Sequence, residues 1–165
     1  MNHKNYISKA EEFIGESNPN MTYYGNTPYY DFSLVSEEES DIKIEVMEIE
    51  KRNKRIKFKI RKGEWRKTRL ANQIIAVIPN KIYFGPVNEK LKNFIKSRLN
   101  QRQHLINKSY EPDKRNGRRT YLNIYPTQLE REGLVTSIPI EQANSLTDLL
   151  RQEYESNQAI QMDLP

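Results

Sequence analysis

The chain changes sign at its centre, and the change falls inside a run of alternating segments. Residues 37–50 (EEESDIKIEVMEIE) hold seven carboxylates and one Lys, and residues 51–69 (KRNKRIKFKIRKGEWRKTR) hold eleven Lys or Arg and one Glu. Across this switch YYDFSLVS, DIKIEVMEI and RIKFKIR alternate apolar and polar residues with the period of two that half-buried strands require. In the second, Ile42, Ile44 and Val46 share one face, and Lys43, Glu45, Met47 and Ile49 the other. In the third, Ile56, Phe58 and Ile60 oppose Lys57, Lys59 and Arg61. SEEES and KRNK read as the turns between them, so the pattern predicts a three-strand meander.

Around the meander the periods change. Ile7, Ala10, Phe13 and Ile14 fall on one face of a helix over Tyr6 to Glu16, and a turn-rich stretch with Pro19, Gly25 and Pro28 follows. EWRKTRLA reads as a short helix after Gly63. QIIAVIP is a continuous apolar run, as a central strand buried on both faces would be, and NKIYFGPV reads as its hairpin partner. Asn88 to Ile106 predicts an amphipathic helix, with Leu91, Phe94, Ile95 and Leu99 inward and Lys90, Lys92, Lys96, Arg98 and Arg102 outward. RTYLNIYP and VTSIPI read as strands, and Ala143 to Tyr154 as a last helix. The expected class is α/β or α+β: a central mixed β-sheet flanked by helices, with a small C-terminal strand-and-helix appendage. Residues 1–156 read as one domain and residues 157–165 as a flexible tail.

A chain of 165 residues supports a core without staples, and with no Cys it has neither disulfides nor thiolate metal sites. Its two His, His3 and His104, lie far apart, so a bound metal would take oxygen ligands, which suits Mg²⁺ or Mn²⁺. No run reaches the ~20 apolar residues that span a bilayer. With no secretory leader in MNHKNYISKAEEF, a cytoplasmic setting is expected. A net charge of +5 admits a polyanion as partner. The basic residues fall in three segments. Lys54, Arg55, Lys57, Arg66 and Arg69 lie in the first, Lys92, Lys96, Arg98 and Arg102 in the helix, and Arg115, Arg118 and Arg119 in the loop DKRNGRRTY. Lys and Arg on phosphates supply most non-specific nucleic-acid affinity. Tyr23, Tyr24, Tyr29 and Tyr30 suit stacking on unpaired bases, or packing at the rim of the core.

One arrangement of residues resembles a known family. A helix bearing Glu11 and Glu12 precedes Asp31 at the start of a strand, and a hairpin leads to Glu45-Val46-Met47 in the next. A further helix and two more strands follow. Over residues 5–85 this layout resembles the PD-(D/E)XK nuclease superfamily, the restriction-endonuclease-like fold. The resemblance implies a Mg²⁺-dependent phosphodiesterase acting on DNA in restriction, defence or mobile-element biology. It makes Asp31 and Glu45 metal ligands, joined by Glu12. A divalent ion would polarise the phosphoryl oxygen and lower the pKa of a bound water. The family's Lys position falls on Met47, which carries no charge. Lys43, on the face of Glu45, or Lys59, on the next strand, would have to replace it. Without a replacement the resemblance implies a catalytically inactive nucleic-acid-binding or adaptor subunit. Many enzymes of this superfamily cut duplexes as dimers, so a homodimer is one expected state. The residues alone read differently: Asp31 as a locally satisfied strand start, Glu45 as a strand residue paired to a Lys, and Glu11 and Glu12 as a solvated helix face. The ending Gln161-Met162-Asp163-Leu164-Pro165 is similar to peptides that dock bacterial replication and repair proteins on the sliding clamp. Gln161, Met162 and Leu164 would be its anchors.

Overall fold

The computed structural model describes residues 8–24, 31–36, 40–47, 49–52, 55–61, 70–108 and 121–162. Helix α1 (Lys9–Ser17) begins where a Ser-x-x-Glu pattern can satisfy its first free amides. The Glu11 amide donates to Ser8 Oγ at 3.1 Å, and Ser8 Oγ donates to Glu11 Oε1 at 2.8 Å. The chain then lays down β1 (Thr22–Tyr23), β2 (Phe32–Val35), β3 (Asp41–Val46), β4 (Ile49–Arg52), β5 (Arg55–Arg61), β6 (Gln73–Val77) and β7 (Lys81–Pro86). Helix α2 (Glu89–Lys108), β8 (Tyr121–Ile124), helix α3 (Pro126–Arg131) and β9 (Thr136–Pro139) follow. A 3₁₀ segment (Ile140–Ser145) leads into helix α4 (Leu146–Met162).

A six-stranded sheet in the order β1-β2-β3-β6-β7-β9 forms the centre, and β4-β5-β8 form a second sheet. The first is mixed: β3 runs parallel to β6, and its other neighbours are antiparallel. The α+β class and the mixed sheet agree with expectation, but the meander does not. Only β2 and β3 of the expected three strands are neighbours, with Phe32 opposite Ile44 and Leu34 opposite Ile42. DIKIEVMEI breaks after Val46, because the Met47 amide donates to Ile75 O at 2.7 Å and ties this end of the segment to β6. Ile49 onward then pairs with β5 in the second sheet, Ile49 opposite Phe58.

Each face of the central sheet has its own core. Phe32, Leu34, Ile42, Ile44, Ile75 and Ile82 pack against Ile14 of α1 and Leu146 and Leu150 of α4. On the opposite side Ile74, Ala76 and Tyr83 pack against Leu91, Ile95 and Leu99 of α2, with Met47, Leu129 of α3 and Ile124 of β8. Strand β6 feeds both, which is why QIIAV lacks alternation. The C-terminal strand and helix are not an appendage: β9 is an edge of the central sheet, and Leu146 and Leu150 have no solvent exposure. Nor does the last helix end at Tyr154. It runs to Met162 across the stretch expected as a tail, since SNQAIQM contains neither Pro nor Gly to stop it.

Two details hold the layers in register. Asn18, 1 % exposed, joins the end of α1 to the start of α4. Its Nδ2 donates to Ile14 O at 3.0 Å and Ala143 O at 2.9 Å, and its Oδ1 accepts from Thr147 N at 3.2 Å and Thr147 Oγ1 at 3.0 Å. All four hydrogen-bonding positions of the amide are therefore used, which is what makes burial of an Asn tolerable. Gly85 of β7 permits the close approach of the chain leading into β9, because a Cβ there would lie 2.5 Å from Leu134 O.

Asn18→Ala strands several buried partners at once and is expected to lower stability by about 3 kcal/mol. Urea unfolding will show this as a lower midpoint at unchanged slope. Gly85→Ala is expected to cost about 1–3 kcal/mol by overpacking in the same measurement.

Candidate functional site

Asp31 stands one residue before β2, at the end of the central sheet where α1 passes. Its amide donates to Ile44 O at 2.9 Å, and its carbonyl accepts from Tyr24 N at 2.6 Å. Its carboxylate Oδ2 accepts from Val46 N at 2.8 Å, so the side chain closes the end of β3. Burial pushes this carboxyl up to about 6, against the pull of the Val46 hydrogen bond and with the help of the Glu11 charge. Tyr23 completes the group. Its ring packs on Phe32 with centroids 5.3 Å apart. Burial, a hydrogen bond to Glu11 and the charges of Glu11 and Asp31 all hold its phenol protonated well above the usual range.

The α1 carboxylate coupled to Asp31 is therefore Glu11. Glu12 is exposed. One position along a helix turns a side chain by ~100°, enough to exchange a facing residue for a solvated one. Glu45 is half-buried on β3, level with Ile74 of β6. Lys43, two residues earlier, is exposed, and its backbone is clipped at both ends by Asn72: Lys43 N donates to Asn72 Oδ1 at 2.8 Å, and Asn72 N donates to Lys43 O at 2.8 Å. Among the described residues no group of three or more His, Cys, Asp or Glu side chains is placed to hold a metal ion.

The position of the family's lysine is occupied by a core residue. Met47 is 9 % exposed and packs with Ile74, Leu91 and Ile124. A Lys in its place would be driven toward its neutral form by desolvation. Lys59 is not on the strand next to Glu45; it lies in the second sheet opposite Asn123 of β8.

The basic segments are brought together by topology. Strand β5 pairs with β4 on one side and on the other with β8, which follows α2 in the chain, and Arg61 is opposite Tyr121 at the start of β8. Ile49 of β4, Ile124 of β8 and Leu91, Ile95 and Leu99 of α2 share one core. The strand positions Arg55 and Lys57 and the helix positions Lys92, Lys96, Arg98 and Arg102 therefore belong to one side of the central sheet. Lys96 and Arg98 are exposed, and the Arg98 guanidinium lies 5.1 Å from the Phe94 ring centre. Lys92 is half-buried and 3.7 Å from Glu89. Lys54, Arg66, Arg69, Arg115, Arg118, Arg119, Tyr29 and Tyr30 lie outside the described residues, as does the short helix expected at EWRKTRLA. Of the other tyrosines, Tyr23 is committed to packing and Tyr24 is 40 % exposed. Gln161 and Met162 form the last turn of α4 rather than an extended peptide, and Leu164 lies outside the described residues.

A second perturbed carboxyl escapes sequence reading altogether. Glu153 of α4 is pushed up to about 7 by burial. It lies over Gln73, 1 % exposed, whose amide nitrogen, turned toward α4, donates to Glu153 Oε2 at 3.3 Å and to Gly85 O at 3.0 Å. Nothing local to EYE marks Glu153; only the docking of α4 on β6 and β7 buries it. No helix among the described residues is long and apolar enough to cross a membrane. No family model, curated protein or solved structure matches the chain.

The Asp31 carboxyl gives a pH test. Native Asp31 holds its proton up to pH about 6, whereas the unfolded chain releases it near 3.8. Its contribution to stability is therefore present below pH 3.8 and lost as pH rises through 6, up to about 3 kcal/mol. Asp31→Asn keeps an acceptor for Val46 N and removes the charge. The difference between variant and wild-type unfolding free energies is expected to grow in the variant's favour from pH 4 to pH 7. A constant difference would contradict the assigned shift.

Proposed function

We propose that this chain binds DNA through the side of the molecule that carries β4, β5 and α2. The observation that carries this reading is the joining of two basic segments: the β4–β5 pair, through β8, and α2 meet around one core. The strand segment from Lys51 to Arg61 and the helix from Lys90 to Arg102 thereby face one partner. Clustered cations with few intervening carboxylates attract a polyanion, and each phosphate contacted releases counterions. A restriction-endonuclease-like ancestry suits the order of a Glu-bearing helix, an Asp before a strand and a Glu on the next strand. The interposed second sheet and the buried Met47 favour a binding module over a catalyst within that ancestry.

A second reading, a Mg²⁺-dependent phosphodiesterase, is favoured by Asp31 and Glu11. Asp31 sits in a partly desolvated corner where burial and then the Glu11 charge raise the cost of its ionised form, a cost that a divalent cation held by the two carboxyls relieves. Their oxygen donors suit Mg²⁺ or Mn²⁺, although no third carboxylate is grouped with them among the described residues. Asp31 and Glu11 would hold the ion, with water completing its shell, and Lys43 on β3 is the lysine that the resemblance offers in place of Met47. When bound, the ion would supply a polarised phosphoryl oxygen and an acidified water.

The binding reading predicts a gel shift that weakens by on the order of a hundredfold between 50 and 200 mM salt, as about four phosphate contacts require. Lys96→Glu with Arg98→Glu, or Lys57→Glu with Lys59→Glu, is expected to weaken it by about tenfold or more. Asp31→Ala with Glu45→Ala is expected to leave binding intact. Supercoiled DNA incubated with Mg²⁺, Mn²⁺ or EDTA separates the two readings. Metal-dependent cutting lost in the Asp31/Glu45 double variant would establish the phosphodiesterase.

A further inference from the structure

The outer face of α2 is built differently from an ordinary solvated helix. Leu91, Ile95 and Leu99 are buried, and Glu89, Lys90, Asn93, Lys96, Ser97, Arg98, Asn100 and Gln101 are exposed, with Arg98 at the far edge of the exposed arc over Phe94. At ~100° per residue, Asn93, Ser97 and Asn100 run along the midline of the exposed face. Lys96 lies on one flank, and Lys90 and Gln101 on the other. After Glu89 the helix contains no carboxylate through Lys108. Solvated helices usually interleave both signs, since opposite charges three or four apart support the helix. Here that support is confined to the Glu89–Lys92 pair of the first turn, and from Lys90 onward the charged residues of the helix are all cationic.

The midline is the more telling part. A helix that merely attracts phosphate would place its cations there. This one places neutral amides at the centre and cations at the edges. The major groove of duplex DNA has the matching layout, with base edges on its floor and phosphates on its walls. Asn amides offer a donor and an acceptor together, the pattern that adenine presents in that groove. The groove is ~12 Å wide, and a helix with its side chains is ~10–12 Å across. Asn93 and Asn100, seven residues apart at ~1.5 Å each, lie ~10.5 Å apart along the axis. That is the rise of about three base pairs.

We propose that α2 enters the major groove of duplex DNA. Asn93 and Asn100 meet base edges, and Lys90 and Lys96 meet the phosphate walls. The proposal rests on the DNA-binding reading above and adds to it the form of the nucleic acid and the residues that read its sequence.

The test is selection of the full chain on a randomised duplex pool, beside Asn93→Ala/Asn100→Ala and Lys90→Ala/Lys96→Ala. All four positions are exposed, so both variants are expected to keep the wild-type far-ultraviolet circular dichroism. Wild type is expected to enrich a short common motif and to bind it at least about tenfold tighter than a scrambled duplex. The amide variant is expected to bind the scrambled duplex within about twofold of wild type and to lose the preference. The lysine variant is expected to weaken on both duplexes equally, with a shallower salt slope. Duplex binding without preference, or a preference unchanged in the amide variant, overturns the groove assignment while leaving DNA binding in place. Stronger binding to single strands or RNA than to any duplex also overturns it. No binding to any nucleic acid overturns both this proposal and the reading on which it rests.

Discussion

Met47 decides how the middle of this molecule is organised. Its amide is bonded to Ile75 O at 2.7 Å, and its thioether side chain lies in the core beneath α2. Held this way, the residue ends β3 as a neighbour of β6 and turns the chain out of the central sheet. The following segment, β4, must find another partner and pairs with β5, which in turn pairs with β8. The second sheet, the position of the basic strands beside α2 and the separation of Lys59 from Glu45 all follow from that exit. A charged residue at this site would have to leave the core or surrender its proton. The side chain that organises the fold thus stands, apolar and buried, where the resemblance calls for a lysine.

The two faces of the central sheet then take on different work. Under α1 and α4 the packing is aliphatic and aromatic, and its polar members are few: Asn18, Gln73 and Thr147 are buried with partners, and Glu153 is half-buried over Gln73. Over α2 and the second sheet the core is a thinner apolar seam, and basic residues follow it along the chain. The acidic corner at Asp31 lies at the end of the sheet, where α1 brings Glu11 to it.

Much of this was legible in advance, for a physical reason. Period-two alternation reports which residues of a strand face a core, so Phe32, Leu34, Ile42 and Ile44 could be read from sequence and are buried. The 3.6-residue period did the same for Leu91, Ile95 and Leu99. Alternation carries no information about which strand is the neighbour, so the parallel pairing of β3 with β6 was hidden. The choice of Glu11 over Glu12 depends on the rotation of α1 against β2, which the segment between them sets. Helix α3 was missed because Pro126 reads as the end of a strand, although it stands in the first turn of a helix, where proline is tolerated. The continuation of α4 was missed because Ser156 and Asn157 resemble a stop when their helical context is ignored. Glu153 became perturbed only through a contact between elements some 80 residues apart in sequence, a distance that local patterns do not reach.

Asn18 has a consequence in time as well as in energy. Its partners Ala143 and Thr147 lie 125 and 129 residues further along the chain. During synthesis at ~5–20 residues per second, α1 leaves the ribosome on the order of ten seconds before the segment that completes its docking. Throughout that interval Ile14 and Phe13 have neither Leu146 nor Leu150 to cover them, and Asn18 must be satisfied by water. Helix α4 therefore acts as the latch on α1, whose apolar face stays uncovered until a segment some 125 residues later has been made.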